Sequence, residues 1–411
     1  MIIMVDEKAI EAAEQQYGRL LRQQLERVER LKHEPDWTDY SKLDKLIIGV
    51  CGGDGIGPYI CAEAQQVLEF LLADKIKAGK VEIRQIDGLT IERRAAVMKA
   101  IPDDTMAQLK QCHVILKGPT TTPKKGDPWP NIESANVAMR KELDLFANIR
   151  PVSVPELGIN WRFYRENTEG SYAVGSDGIN VTDDLAIDYC VATTQGTERI
   201  LRAGFEYAKK SGGNYVSVIT KANIIKTTDG KFLKLAEQVA KDYPGVTWDD
   251  WFIDITTAKL LDPVRRGKFR VFVLPNLYGD IITDEAAQIQ GGVGTAGSAN
   301  IGKKYAMFEA IHGSAPRMVS EGRAQYADPC SMIKAVAMML DHIGETEKAH
   351  RLDMALDVCV QFEKKLVMTG RSNGATGDEF AKYVMETVQR PDLAEVWQQY
   401  VDIAVQNAAK Q

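Results

Sequence analysis

Three carboxylates, a lysine and a tyrosine in this chain are spaced for chemistry on an oxygen-rich substrate. Asp280 and Asp284, in YGDIITDEAAQ, are four apart, which on a helix puts both carboxylates on one face. Their repulsion is unfavourable unless something positive lies between them. With Asp254, in WFIDITTAKLL, they make an oxygen-only donor set of the kind that suits Mg²⁺ or Mn²⁺, with the substrate completing the octahedron. A helix-capping Asp280 followed by a solvated Asp284 would write the same letters for structural reasons alone. Lys221, in ITKAN, closes an apolar run, and a lysine lodged in a cleft at a strand end can lose its proton and act as a base. Tyr172, past RENTEG, is placed to return a proton. Taken singly, such residues are more often structural than catalytic.

The stretch SANVAMRKELDLFANIR, 134 to 150, supplies the opposite charge. If SANVAMRK opens a helix, Ser134 and Asn136 lie near its N-terminus and Arg140 follows one to two turns on, toward the same side. Arg150 comes just before Pro151, where the chain is expected to leave the helix for an extended run. Two guanidiniums, a hydroxyl and an amide then converge, which suits a substrate bearing several carboxylates. A solvated helix face would also carry such charges. GDGIGP, residues 53 to 58, is not the dinucleotide fingerprint, because its glycines alternate and no acidic residue closes a βαβ unit at the expected distance. IHGSAP, 311 to 316, is a second small-residue loop whose amides could hold a phosphate or an adenine edge.

The elements that must position these residues alternate between strand and helix. LIIGVC, HVILKGP, WRFYREN, YVSVITKAN and FRVFVLPN read as strands, while the run from Tyr59 to Leu72, AGFEYAKK, KFLKLAEQVAKDY and PCSMIKAVAMMLDHIG read as helices. That pattern predicts an α/β architecture around a large sheet. Residues 6 to 32 form a further amphipathic helix with Asp6 as N-cap and Ile10, Ala13, Tyr17, Leu20, Leu21, Val28 and Leu31 at roughly helical spacing, docked on the body or on a partner subunit. The glycines at 291, 292, 294 and 297 mark a loop.

The 411 residues leave room for two or three domains, and 45% hydrophobic residues suffice for a full core. A net charge of -6 without a basic run argues against nucleic acid as a partner. Six cysteines without metal-ligand spacing read as buried thiols of a reduced compartment. There is no apolar run of about 18 residues, so no membrane span is expected. The opening MIIMV is too short for a signal peptide, and Glu7, Glu11 and Glu14 are unlike a transit peptide. The cytoplasm is the expected compartment.

GDGIGP, LKGPTTTP, SANVAMRKELDLFANIRP, RFYRENTEG, TKANIIK, NLYGDIITDEAAQIQGG and IHGSAP stand in one order from about Ile47 to Phe380. Together they resemble the β-decarboxylating dehydrogenases of the isocitrate and isopropylmalate family, in its isocitrate branch. The resemblance implies that family's own α/β fold, not a Rossmann fold. Residues 1–43 would be a helical extension, 44–145 with 291–411 a large domain built from both chain ends, 146–169 with 215–290 a smaller domain, and 170–214 a clasp between subunits. It implies metal-dependent oxidative decarboxylation of isocitrate to 2-oxoglutarate in a homodimer whose active sites are shared, Lys221 and Asp254 coming from the neighbouring subunit. Arg140, Arg150 and Arg165 would clamp carboxylates, Ser134 and Asn136 would meet the third one, and Asp254, Asp280 and Asp284 would hold Mg²⁺ or Mn²⁺. Lys221 would be the base, and Tyr172 would protonate the enolate. Cofactor contacts would come from Thr121, Thr122, the loop His312, Gly313, Ser314, Ala315, Pro316, Arg317 and Met318, and from Asp328. Arg317 leans the choice toward NADP over NAD, since a guanidinium favours a 2′-phosphate, although Asp328 and Met318 depart from the NADP pattern. Other departures are Tyr59 after GDGIGP, the insertion 124–133 before the substrate helix, and the extension itself. Homoisocitrate, 3-isopropylmalate or tartrate are the alternative substrates. A catalytically silent regulatory subunit of the same fold is the alternative of another class, against which every chemical position is filled.

Overall fold

The computed structural model describes residues 6–124, 126–175 and 177–408. The opening MIIMV, and Lys125 within the insertion, therefore lie outside the described residues. The strands are β1 (Leu46–Cys51), β2 (Val81–Gln85), β3 (Val114–Lys117), β4 (Ala147–Val154), β5 (Ile159–Glu166), β6 (Ile179–Thr182), β7 (Leu185–Ile187), β8 (Tyr215–Thr220), β9 (Thr247–Phe252), β10 (Val271–Leu274), β11 (Gly297–Ile301) and β12 (Ala306–Ala310). Ten of them form one sheet in the order β2-β1-β3-β12-β11-β4-β5-β10-β8-β9, and β6 with β7 form a separate ribbon. The outer pairings are parallel, while β12–β11, β11–β4 and β4–β5 are antiparallel. The strands VILK and VFVL are buried throughout, Lys117 included, as expected of central strands covered on both faces.

Neighbouring strands carry polar side chains on one face of this sheet's centre. Glu309 on β12 is opposite Lys117 on β3 and Ser298 on β11. Asn300, two residues beyond Ser298, is opposite Asn148 on β4, which is opposite Arg165 on β5. Arg150 lies two residues beyond Asn148, so strand alternation brings it to the same face. All seven side chains are buried. Burying so much polar surface is unfavourable unless its members satisfy one another or serve a ligand.

Several sequence expectations are corrected here. The predicted substrate helix spans Ala135–Glu142 and ends eight residues before Arg150, and Pro151 sits inside β4. The turn is made at Asp144, whose φ is +47°. Gly297 opens β11 and is not part of the loop before it; a side chain there would strike the backbone of Ala335 in the helix Cys330–His342. Asp280 does not cap its helix, since that helix runs from Asn276 to Gln290. Five cysteines are buried, but Cys190 is exposed. The N-terminal helix, Glu7–Leu31, is capped by Asp6 as expected, its carboxylate accepting from the Ala9 amide at 3.1 Å. It docks through Leu20, Leu31, Gln16, Arg27 and the stacking of Tyr17 on Tyr189, leaving Ile10 and Leu21 exposed. Among the described residues no helix is long and apolar enough to cross a membrane.

Candidate active site

A cavity of about 240 Å³ opens over the polar band. Its first wall is the substrate helix. Ser134 stands at the N-cap position yet makes no capping bond, so its hydroxyl is not committed to the helix. Asn136 accepts a hydrogen bond from Thr120 Oγ1 at 3.2 Å, and Arg140 donates to Glu309 at 3.3 Å from the next turn. The sheet contributes Arg150, Arg165, Ser298 and Glu309, the opposite wall Tyr172 and Asp280, and the lip His312 and Gly313. The predicted carboxylate ligands Ser134, Asn136, Arg140, Arg150 and Arg165 thus share one cavity with Tyr172.

Each arginine of this cavity is paired with a carboxylate. Arg165 donates to Asp280 at 2.5 Å, and Arg150 to Asp284 at 3.1 Å and to Thr283 at 2.6 Å. Burial pushes both guanidiniums below their ordinary range, Arg165 to about 9 with Arg140 close by adding to the effect. Burial would raise Asp280, but Arg165, Tyr172 and Arg150 outweigh it and hold the carboxyl below its usual value. Glu309 behaves likewise, since Lys117 and then Arg140 overcome the effect of its burial. The Tyr172 hydroxyl donates to Asp280 at 2.8 Å, and burial followed by that carboxylate pushes its pKa up, so the phenol keeps its proton. Asn276 accepts from Arg165 Nε at 3.0 Å and Nη2 at 2.7 Å, fixing the plane of the guanidinium.

Lys221 and Asp254 lie elsewhere on the chain, bonded to each other at 2.6 Å. The Lys221 interaction is the largest influence holding the exposed Asp254 carboxyl below its ordinary value. Lys221 follows β8 directly, and the buried Asp229 fixes its backbone by accepting from its amide at 2.7 Å. Among the described residues of one chain, no three His, Cys, Asp or Glu side chains gather closely enough to hold a metal. Asp280 and Asp284 share one helix face, but Asp254 does not join them. Exposed apolar side chains flank these groups in sequence: Ile224 and Ile225 after Lys221, Phe252 and Ile255 beside Asp254, Leu277 and Ile281 beside Asp280.

GDGIGP ties the predicted cofactor loops together. The buried Asp54 accepts from the Ile91 amide and the Thr121 amide, each at 2.7 Å. Gly55, at φ +60°, lies so close to the Ser314 carbonyl that any Cβ would collide with it. Thr121 Oγ1 and Ser314 Oγ are 3.0 Å apart. His312 and Gly313 line the first cavity, while Ala315, Arg317 and Met318 line a second one of about 810 Å³ together with Arg323, Tyr326 and Arg371. Ala315 makes the bend between them at φ +41°, and Pro316 starts the short helix after it. Arg317 is paired with Glu321 at 2.6 Å, and Glu321 also receives Arg323. Thr122 is exposed. Asp328 lines neither cavity; its carboxylate accepts from the Cys330 amide at 2.9 Å and burial pushes its pKa up, so its position is that of a helix-start residue.

The isocitrate/isopropylmalate dehydrogenase family model matches residues 47–370. The chain belongs to that family. It is 35% identical over 358 residues to the homoisocitrate dehydrogenase of Methanocaldococcus jannaschii, covering 83% of this chain and 98% of that protein. It is 38% identical over 317 residues to the NADP isocitrate dehydrogenase of Rickettsia bellii, covering 75% of this chain but only 62% of that one. A solved isocitrate dehydrogenase from Methylococcus capsulatus superimposes with a TM-score of 0.72 at 33% identity, over 84% of this chain and all of that chain. The fold is therefore that of the isocitrate/isopropylmalate dehydrogenases, an α/β fold distinct from the Rossmann type, and the chain is an oxidoreductase of that family.

Lys117, Glu309, Asn276 and Asp54 are among the site-building residues that went unread in the sequence. Lys117 and Glu309 are charged residues inside otherwise apolar strands, which is the signal that could have found them. Asn276 and Asp54 carry no such signal, since Asn before a helix and Asp in a glycine-rich loop are ordinary turn residues.

Proposed function

We propose that the chain is a metal-dependent isocitrate dehydrogenase, converting isocitrate to 2-oxoglutarate and carbon dioxide with reduction of NADP, or of NAD in its place. The observation that carries this is the pairing of an uncommitted Ser134 hydroxyl with Asn136 on the wall of a cavity that also holds three guanidiniums. A substrate with an alkyl branch in place of a third carboxylate would leave those polar groups unpaired, which is strongly penalised. Arg140, Arg150 and Arg165 would hold the substrate's carboxylates, displacing part of their present pairing with Glu309, Asp284 and Asp280.

The oxygen donors fit a hard divalent ion: Asp280 and Asp284 present two carboxylates on one helix face, and Asp254 would supply a third from a second chain. When bound, the ion would polarise the substrate's C2 oxygen and the nicotinamide would accept the hydride from C2. Lys221 would withdraw the proton of the C2 hydroxyl. Tyr172, which keeps its proton, would deliver it to C3 once carbon dioxide has left. The separation of Lys221 and Asp254 from the cavity, with exposed apolar residues beside both, supports a homodimer in which each cleft is completed by the other subunit. The division into a large domain (44–145 and 291–411) and a small one (146–169 and 215–290), joined across the β11–β4 pairing, is part of this proposal. So is the clasp role of 170–214, which carries the β6–β7 ribbon.

Homoisocitrate is the second reading, favoured by the nearly full-length similarity to the Methanocaldococcus jannaschii enzyme. Arg317, Arg323 and Arg371 around one cavity support NADP. Initial rates with isocitrate, homoisocitrate and 3-isopropylmalate, each with Mn²⁺ and either NADP or NAD, test all of this. The highest kcat/KM is expected for isocitrate with NADP. A preference for homoisocitrate overturns the substrate assignment, and a preference for NAD overturns the cofactor assignment.

A further inference from the structure

We propose that the N-terminal helix is a positioning element for the catalytic cleft and that it acts through Arg27. The family match begins at residue 47, so this helix, Glu7–Leu31, lies outside the matched segment. It nevertheless grips the loop that carries Tyr172 at both of its ends. At the near end Arg27 Nη1 donates to Glu169 at 2.7 Å and Nη2 to Thr168 Oγ1 at 3.0 Å. At the far end Gln16 Nε2 donates to the carbonyls of Asp177 at 3.4 Å and Gly178 at 3.2 Å. Tyr17 stacks on Tyr189 with ring centroids 5.0 Å apart.

The near end leads directly into the cavity. Glu169 is 2% exposed, and its carboxylate also accepts from the Thr193 amide at 2.9 Å and hydroxyl at 2.5 Å. Its backbone carbonyl accepts from Asn276 Nδ2 at 3.1 Å, and the other end of that amide accepts from Arg165. Arg27 is the cation on this buried carboxylate, whose neighbour Glu166 is a second buried carboxylate accepting from the Glu169 amide at 2.6 Å. Without Arg27, Glu169 keeps its Thr193 hydrogen bonds but is left buried without a cation beside Glu166, and the least costly response is for the segment to move toward water. That movement would carry Asn276, and through it Arg165, away from the substrate, and would slacken the chain that holds Tyr172. The proposal rests on the assignment of Arg165 and Tyr172 to the reacting pocket.

The test is hydrogen–deuterium exchange on the full chain, with Arg27→Ala, Arg27→Lys, Gln16→Ala and, as a control on the exposed side of the same helix, Arg22→Ala. Arg27→Ala is expected to speed exchange over 166–178 about tenfold or more, since local opening then costs less. Arg27→Lys should restore part of the protection, Gln16→Ala should act on the far end alone, and Arg22→Ala should do nothing. In turnover, Arg27→Ala should raise KM for the carboxylate substrate and lower kcat while leaving KM for the dinucleotide in place, because Asp54 and Ser314 hold that side independently. Unchanged exchange over 166–178 in Arg27→Ala overturns the proposal. So does a uniform rise in exchange across the chain, which would make the helix a general stabiliser. Should Arg27→Ala fail to fold, Gln16→Ala with unchanged exchange at 170–178 overturns it instead. If the wild type turns over none of the substrates, the functional reading fails while the exchange experiment still decides the strut.

Discussion

Replacing Asp54 with alanine separates the scaffold of the cofactor side from the substrate side. The residue is 6% exposed and its two oxygens satisfy two amides, the buried one of Ile91 and the partly buried one of Thr121, at 2.7 Å each. Each amide left unpaired in the interior costs about 1–3 kcal/mol, so the variant should lose about 4 kcal/mol. Arg94, fully buried at 3.9 Å from Asp54, keeps its bonds to the carbonyls of Ala100, Thr121 and Glu133 but loses its nearby counter-charge, which adds to the cost. Asp54→Asn retains one acceptor and should lose about half as much. Urea unfolding at one fixed protein concentration reads the stability, a precaution needed if the protein dimerises. In kinetics, KM for the dinucleotide should rise more than KM for isocitrate, because Thr121 hangs on Asp54 whereas Arg140, Arg150 and Arg165 do not. A loss below about 1 kcal/mol in the alanine variant, or an equal rise in both KM values, would refute the reasoning.

Lys221→Met should abolish oxidation while sparing binding of metal and isocitrate, measured by calorimetry; unchanged turnover would remove Lys221 from the role of base. Arg317→Asp should shift the ratio of kcat/KM for NADP over NAD downward by about tenfold or more, since a charge-assisted contact to a 2′-phosphate is exchanged for repulsion; a constant ratio would assign the discrimination elsewhere. His342 is held by burial at about 4, against an ordinary 6.5, beside Tyr40, whose hydroxyl lies 3.0 Å from Nε2. The unfolded chain therefore binds this proton first, and the stability His342 contributes is complete above pH ~6.5 and lost as pH falls toward 4, by up to about 3 kcal/mol. Urea midpoints at pH 7 and 4.5 should accordingly fall less for His342→Gln than for the wild type, and parallel falls would count against a neutral His342.

What the sequence disclosed and what it withheld divide along a physical line. Asp280 with Asp284, and Ser134 with Asn136 and Arg140, each lie within a few residues on one helix, so periodicity alone places them on a face. The main apolar strands were legible for the same reason, as short buried runs bounded by turns. The polar band was not, because β3, the β11–β12 pair and the β4–β5 pair meet only through the sheet order, and nothing local says that Asn148 will meet Asn300 at 2.9 Å. Each polar residue on its own looked like an exception within an apolar strand. The exceptions explain one another once the strands are aligned: Asn300 bonds both Asn148 and Glu309, Glu309 faces Lys117 and Arg140, and the substrate helix is thereby joined to the sheet. A buried network of this kind is costly unless its members are paired, so the pairing constrains each side chain more tightly than packing would, and among the described residues Arg140 Nε, Arg150 Nε and Asn148 Oδ1 are the atoms it leaves without a partner. The cavity's arginines are therefore oriented by neighbours far away in sequence, and a change at Asn300 or Asn276 should disturb carboxylate recognition although neither residue belongs to the helix on which that recognition was first read.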